Sequence, residues 1–122
     1  LYVLGGEYNT RFSFLGGALL QKSLENLTAD KVFVGADAID DQGRCLTTDQ
    51  ETAHTAALML GRGRRKILLA DHTKVRNDGG VAYGSLRDFD LWITSAGPES
   101  KIMSSLKKMT HVLTATANDK AF

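Results

Sequence analysis

Short, nearly uninterrupted apolar runs recur along the chain, at Leu1–Leu4, Lys31–Gly35, Lys66–Ala70, Leu91–Thr94 and Val112–Ala115. They are rich in Val, Ile and Leu and lack strict alternation of polar and apolar positions. Strands buried on both faces of a parallel sheet carry that pattern. Between them the spacing changes to a helical period. A first helix is predicted from about Phe14 to Leu27, with Leu20, Leu24 and Leu27 on one face. A second starts at Thr48, a suitable N-cap, with Glu51 three residues on as capping-box partner and Asp49 in the first turn. Its apolar series Ala53, Ala56, Ala57, Leu60 follows i, i+3, i+4, i+7, and Gly61 can close it. A third begins at Pro98, with Ile102, Leu106 and Met109 turned inward. Thr28-Ala29-Asp30 and Gly97-Pro98 supply turn or helix-start signals between elements. The one long irregular stretch, Thr73–Asp88, contains Asn77-Asp78-Gly79-Gly80, and loops of that length in compact domains are usually functional or mobile. Alternating strands and helices predict an α/β fold, a three-layer sandwich with a mainly parallel sheet.

Composition narrows the class. With 122 residues, 43% hydrophobic and 24% charged, the chain has enough material for one ordinary globular domain. Its longest apolar runs fall far short of a membrane span, and no charged region leading into an apolar one suggests a secretory signal. A single cysteine, Cys45, cannot form an internal disulfide, which fits a reducing, cytoplasmic setting. The charge is nearly balanced, 15 Lys+Arg against 14 Asp+Glu, so this stretch carries no phosphate-backbone footprint of its own. The basic cluster Arg62-Gly63-Arg64-Arg65-Lys66 follows a helix and reads as a complement to its C-terminus. Leu1-Tyr2-Val3-Leu4 reads as a strand with no lead-in, so the sequence is expected to be part of something longer.

Candidate chemistry collects after the strands. In open parallel sheets, ligands bind beyond the carboxyl ends of the strands. Gly5-Gly6-Glu7 follows the first strand, and Gly35-Ala36-Asp37-Ala38-Ile39-Asp40 follows the second, leading to Thr47-Thr48-Asp49. Asp71-His72-Thr73-Lys74 follows the third and Ser95-Ala96-Gly97 the fourth. Glycines, acids, hydroxyls and one lysine at a common edge suit an anionic, hydroxyl-rich small molecule. The lysine would meet a phosphate and the aspartates would accept from sugar hydroxyls. Each piece also has a plainer reading: Gly5-Gly6 as a turn, Asp37 and Asp40 as Asx-turn residues, Thr48 and Glu51 as caps, Lys74 as a solvent lysine. Asp71 and His72 lack a third metal ligand at persuasive spacing, and Cys45 lacks a base, so no metal, cofactor or nucleophile is expected.

Taken together, LGGEYN, SFLG, VFVGADAIDDQGRCLTTDQETA, KILLADHTK and DFDLWITSAG, in this order and spacing, resemble the C-terminal effector domain of DeoR-family bacterial transcriptional repressors. The similarity runs roughly from Val3 to Leu113. It implies a fold similar to ribose-5-phosphate isomerase, glucosamine-6-phosphate deaminase and CoA transferases. It also implies a phosphorylated sugar or related metabolite as effector, a homo-oligomer, and DNA binding only through an N-terminal winged helix-turn-helix. That module is absent here, as are the D-S-G-T-T loop and T-N segment with which such domains open, so residues 1–122 are expected to be a partial sensor domain. On the family's pattern, Gly6 matches the end of its GG strand, Asp37 and Asp40 the acids of its G-A-D turn, Thr48 and Asp49 its T-T/D helix start, and Lys74 its lysine. Ala38, Thr73 and Ser95 depart from the family's usual glycine, serine and acid, and Ser95 leaves any contact from that strand end open.

An isomerase or deaminase of the same fold is the competing reading. Such an isomerase needs a carboxylate base and groups that stabilise an enediolate. Gln42–Asp49 lacks the isomerase's glycine run and lysine and has the shorter Asp49 in the glutamate's place. Ala38-Ile39 after Asp37 leaves the deaminase base without a counterpart. A displacement of about 1 Å can cost roughly a hundredfold in rate, whereas a binding pocket tolerates such losses. The sequence therefore points to a sensor, ahead of an enzyme or a purely structural subunit-interaction domain.

Overall fold

The computed structural model describes residues 1–117. Four strands, β3 (Ala29–Gly35), β6 (Gly63–Leu69), β8 (Leu91–Ser95) and β9 (Val112–Ala115), form a parallel sheet in the order β3-β6-β8-β9. A smaller antiparallel sheet of β4 (Ala38–Ile39), β5 (Arg44–Thr47) and β7 (Val81–Ser85) lies beside it. Ahead of both, β1 (Glu7–Asn9) and β2 (Phe14–Gly16) form a hairpin. The helices are α1 (Gly17–Glu25), α2 (Gln50–Arg62) and α3 (Lys101–Leu106). The architecture is the expected α/β sandwich with a mainly parallel sheet flanked by helices.

The core forms between one face of the parallel sheet and the helices. Val32, Val34, Leu68 and Trp92 meet Ala53, Ala56 and Leu60 of α2 and Met103 and Leu106 of α3, with Ile39, Cys45, Tyr83 and Leu86 filling the side toward the small sheet. Trp92 is wholly enclosed, and its indole N–H donates to the Ala70 carbonyl at 2.8 Å, so its one polar atom is satisfied. The opposite face of the sheet carries Phe33, Leu69 and Leu113, which share a side by register and are left 51%, 46% and 43% exposed. No helix among the described residues is long and apolar enough to cross a membrane.

Several predicted elements shift. Leu1–Leu4 is not a strand: it pairs with nothing among the described residues, and Leu1, Tyr2 and Val3 are exposed. An apolar run becomes a strand only when a ladder partner satisfies its backbone. Phe14–Gly16 belongs to β2 rather than to a helix, and α1 starts at Gly17, whose φ of 86° only glycine adopts cheaply. Leu20 and Leu24 are buried as expected, but Leu27 lies beyond the helix and is 43% exposed. Helix α2 is capped by Asp49 rather than Thr48, because the Asp49 carboxylate accepts the Thr52 N–H at 2.8 Å. It runs through Gly61 to Arg62, and Ala57 faces solvent.

Helix α3 begins after Ser100, which accepts the Met103 N–H at 3.0 Å, rather than at Pro98. That start turns Met103 and Leu106 inward and leaves Ile102 outside. The stretch Thr73–Asp88 is not structureless. It holds the end of a 3-10 turn (His72–Lys74), strand β7 and a second 3-10 turn (Leu86–Asp88) closed by a reciprocal Ser85–Asp88 cap.

Trp92→Ala is expected to cost about 3–5 kcal/mol, the range for emptying a large core site, and Trp92→Phe distinctly less. Urea unfolding followed by circular dichroism checks both.

Candidate functional site

The register of β3 against β6, Val34 with Leu68 and Gly35 with Leu69, brings the turns after both strands to one edge. A cavity of about 460 Å³ opens there. Its lining is apolar at Phe14, Leu15, Phe33, Met59 and Leu69 and polar at Asp37, Thr47, Thr52, Thr55 and Lys74, with Gly35 and Ala36 also lining it. Apolar walls with a few convergent polar groups are the usual make-up of a small-molecule site.

Asp37 is held in place. Its Oδ2 accepts the Thr48 N–H at 3.2 Å, its N–H donates to the Leu46 carbonyl at 2.9 Å, and its carbonyl accepts from Arg76 Nη2 at 3.0 Å. Lys74 ends the 3-10 turn that Asp71 caps through the Thr73 N–H at 2.8 Å. The Thr73 hydroxyl and N–H, and then the Lys74 and His72 charges, hold the Asp71 carboxyl below its ordinary 3.8. The Lys74 ammonium makes no hydrogen bond or ion pair among the described residues, and Lys74 lines the cavity.

The other predicted residues divide. Thr48 and Asp49 stand beside the cavity without lining it. The Thr48 hydroxyl donates to Asp49 Oδ2 at 3.2 Å, and Asp49 accepts from both the N–H and the hydroxyl of Thr52. The Thr52 N–H, helped by the Thr52 and Thr48 hydroxyls, keeps the Asp49 carboxyl below its ordinary 3.8.

Asp40 sits elsewhere, against Asp41, Arg44 and the Asn77–Val81 loop. Its Oδ1 accepts from the Gln42 and Arg44 amides and its Oδ2 pairs with Arg44 Nε at 2.6 Å, which closes the β4–β5 turn. Burial opposes its ionisation, but the Arg44 amide and guanidinium and the Gln42 amide outweigh it and lower its pKa. Gly6 does not line the cavity; a Cβ there would stand 2.5 Å from the Gly16 carbonyl, so its role is close packing on β2.

Three lining residues went unremarked in the sequence: Thr52, Thr55 and Met59. They follow i, i+3, i+7 on α2, a second stripe beside the buried Ala53, Ala56 and Leu60. That spacing was the available signal, hidden because the alanine stripe alone accounts for the helix. Thr47, in the sequence one of the T-T-D run, also lines the cavity, and its hydroxyl donates to the Asp49 carbonyl at 3.1 Å.

Other reactive groups are sealed or dispersed. Burial pushes the Cys45 thiol up to about 12, so it remains a protonated core residue. Tyr83 is likewise raised by burial, and its hydroxyl donates to the Gly35 carbonyl at 2.6 Å, bracing the end of β3 under the cavity. Among the described residues no three His, Cys, Asp or Glu side chains cluster to hold a metal ion.

The family model for the DeoR C-terminal sensor domain matches residues 1–96. The chain belongs to the DeoR family. It is 27% identical over 120 residues to the HTH-type transcriptional repressor GlcR of Bacillus subtilis, covering 98% of this chain and 46% of that protein. It is 29% identical over 90 residues to the HTH-type transcriptional regulator GlpR of Haloferax volcanii, covering 74% and 35%. The lactose phosphotransferase system repressor of Staphylococcus aureus is 28% identical over 102 residues, covering 84% and 40%. The chain thus spans less than half the length of these curated relatives. Their names are regulatory, so the family carries a sensor rather than an enzyme at this fold.

Acid should weaken the fold around these carboxylates in a defined way. Asp40 and Asp49 have lowered folded pKa values, so the stability they contribute is present above the ordinary 3.8 and is lost as pH falls through the folded values. Urea midpoints measured from pH 7 to 3 are expected to fall below about pH 4, and Asp49→Asn to fall less steeply than the unsubstituted protein. Asp49→Ala is expected to cost about 0.5–2 kcal/mol at pH 7, the value of a lost N-cap.

Proposed function

We propose that the cavity between β3, α2 and Lys74 is the effector site of a DeoR-family transcriptional repressor, and that its ligand is a phosphorylated sugar or related metabolite. The observation that carries this reading is that Asp37 and Lys74, whose ammonium is unpaired among the described residues, line one cavity with apolar residues at the carboxyl ends of parallel strands. A cation with open donors suits a phosphate or an anomeric oxygen, and a fixed carboxylate acceptor suits sugar hydroxyls. The threonines of α2 add further hydroxyls: Thr55 Oγ1 accepts from Gln21 at 3.5 Å, which leaves its own hydrogen for a ligand. The names of the relatives, repressors among them one of a lactose phosphotransferase system, agree with sugar-linked control.

On this reading residues 1–122 are part of the sensor, and DNA is bound by a separate N-terminal helix-turn-helix in a homo-oligomer working in the cytoplasm. Effector binding favours one arrangement of the oligomer by its differential affinity and so shifts operator occupancy. Gly6, Asp40, Thr48 and Asp49 support this site at one remove: Asp49 and Thr48 fix the α2 start and Asp37, while Asp40 and Gly6 hold the neighbouring turns.

Lys74→Ala in the full-length protein is expected to weaken binding of the cognate sugar phosphate by roughly 10- to 100-fold, the worth of a hydrogen bond to a charged group. Its thermal midpoint without ligand should stay unchanged. Calorimetric titration against a panel of sugar phosphates measures this, and unaltered affinity would overturn the assignment.

A further inference from the structure

The chain that leads from β6 into the turn bearing Lys74 is held by β8. The Ala70 N–H donates to the Ile93 carbonyl at 3.2 Å, and the Ala70 carbonyl accepts the Trp92 indole N–H at 2.8 Å. Two residues on, the His72 N–H donates to Ser95 Oγ at 3.1 Å, and the same oxygen lies 2.8 Å from His72 Nδ1. Ser95, the last residue of β8, thus grips both the backbone and the ring of His72. Gly97 packs against that ring so closely that a Cβ there would overlap its Cγ and Cδ2 atoms.

His72 opens the 3-10 turn that ends at Lys74. Inside that turn the Lys74 N–H donates to the Asp71 carbonyl at 3.1 Å and the Val75 N–H to the His72 carbonyl at 3.2 Å. A three-residue turn has little stability of its own, so its place is set by what anchors it. Asp71 anchors it from within, through the Thr73 N–H, and Ser95 anchors it to the sheet. A lysine side chain is long and flexible, and its ammonium is placed only as well as the backbone beneath it. A carboxylate at position 95 could accept the same amide, but it would set a negative charge beside the turn that carries Lys74; the hydroxyl does not.

We propose that Ser95 is a positioning residue of the effector site: through its two contacts with His72 it fixes the turn that carries Lys74, and so sets how well Lys74 engages an anionic group of the ligand. This role presupposes the effector-site reading above and brings a third strand, β8, into that site. Ser95 does not line the cavity and acts through Lys74. Anion recognition is thereby tied to the loop after β8, where Gly97 must stay without a side chain for the His72 ring to keep its place.

Two measurements on the full-length protein test this. The first needs no ligand: amide–water exchange followed by NMR. In Ser95→Ala the His72, Lys74 and Val75 amides are expected to exchange about tenfold faster, the interior β6 amides to stay unchanged, and Ser95→Thr, which keeps the hydroxyl, to restore the turn. Unchanged exchange at Lys74 and Val75 in Ser95→Ala overturns the proposal. The second is a double-mutant cycle, titrated with the sugar phosphate that binds in the panel above. Ser95→Ala is expected to weaken binding about 3- to 10-fold when Lys74 is present and by less than about twofold in the Lys74→Ala background. An equal loss in both backgrounds overturns the proposal, because Ser95 would then act independently of Lys74. Unaltered affinity in Lys74→Ala alone instead overturns the effector-site assignment, and the exchange result then decides the Ser95 anchor by itself.

Discussion

The parallel pairing of β3 with β6 is the constraint on which the rest depends. Its register aligns Gly35 with Leu69, so the turns that follow, bearing Asp37 and Lys74, end at the same level. Two residues 37 positions apart in sequence come to line one cavity without any direct bond between them. Each is then fixed locally, Asp37 by the Leu46 and Thr48 backbone and Lys74 by the Asp71-capped turn. Tyr83 braces the end of β3 from below. Backbone pairing sets the placement and side-chain bonds set the orientation.

Three acids that look alike in sequence acquire different tasks. Asp40 is buried and saturated by Arg44 and Gln42, so it holds a turn; Asp49 is spent on the first turn of α2; Asp37 alone among them lines the cavity. The same division applies to cations, since Arg44 and Arg76 are engaged with Asp40 and Asp78 while Lys74 is not. A sensor needs such a contrast: a rigid frame of satisfied groups around a few that a ligand can engage.

What the sequence revealed follows the length of the local signal. Runs such as Val32–Val34 and Ile67–Leu69 are dense in β-branched and aliphatic residues, and they are strands. The two-residue β4 and the four-residue β5 are too short for periodicity to register, so the sequence does not signal the antiparallel sheet, and β7 lies within a stretch whose pattern predicts an irregular loop. Leu1–Leu4 has the composition of a strand but no partner here, and composition cannot supply a ladder. The cap of α2 moved by one residue because Thr48 and Asp49 are both good caps and only geometry chooses between them. In the site, the family's spacing led to Asp37 and Lys74, whereas Thr52, Thr55 and Met59 needed the helix to be seen against β3.

The central claim is that ligand enters between β3, α2 and Lys74 rather than the acidic depression around Asp40 and Asn77. Methyl NMR of the full-length protein, titrated with a panel of sugar phosphates, tests it most directly. The account predicts that one of them shifts the methyl signals of Ala36, Thr55, Met59 and Leu69 while Ala82 stays still. Shifts confined to Leu46, Val81 and Ala82, or none with any sugar phosphate, would contradict it.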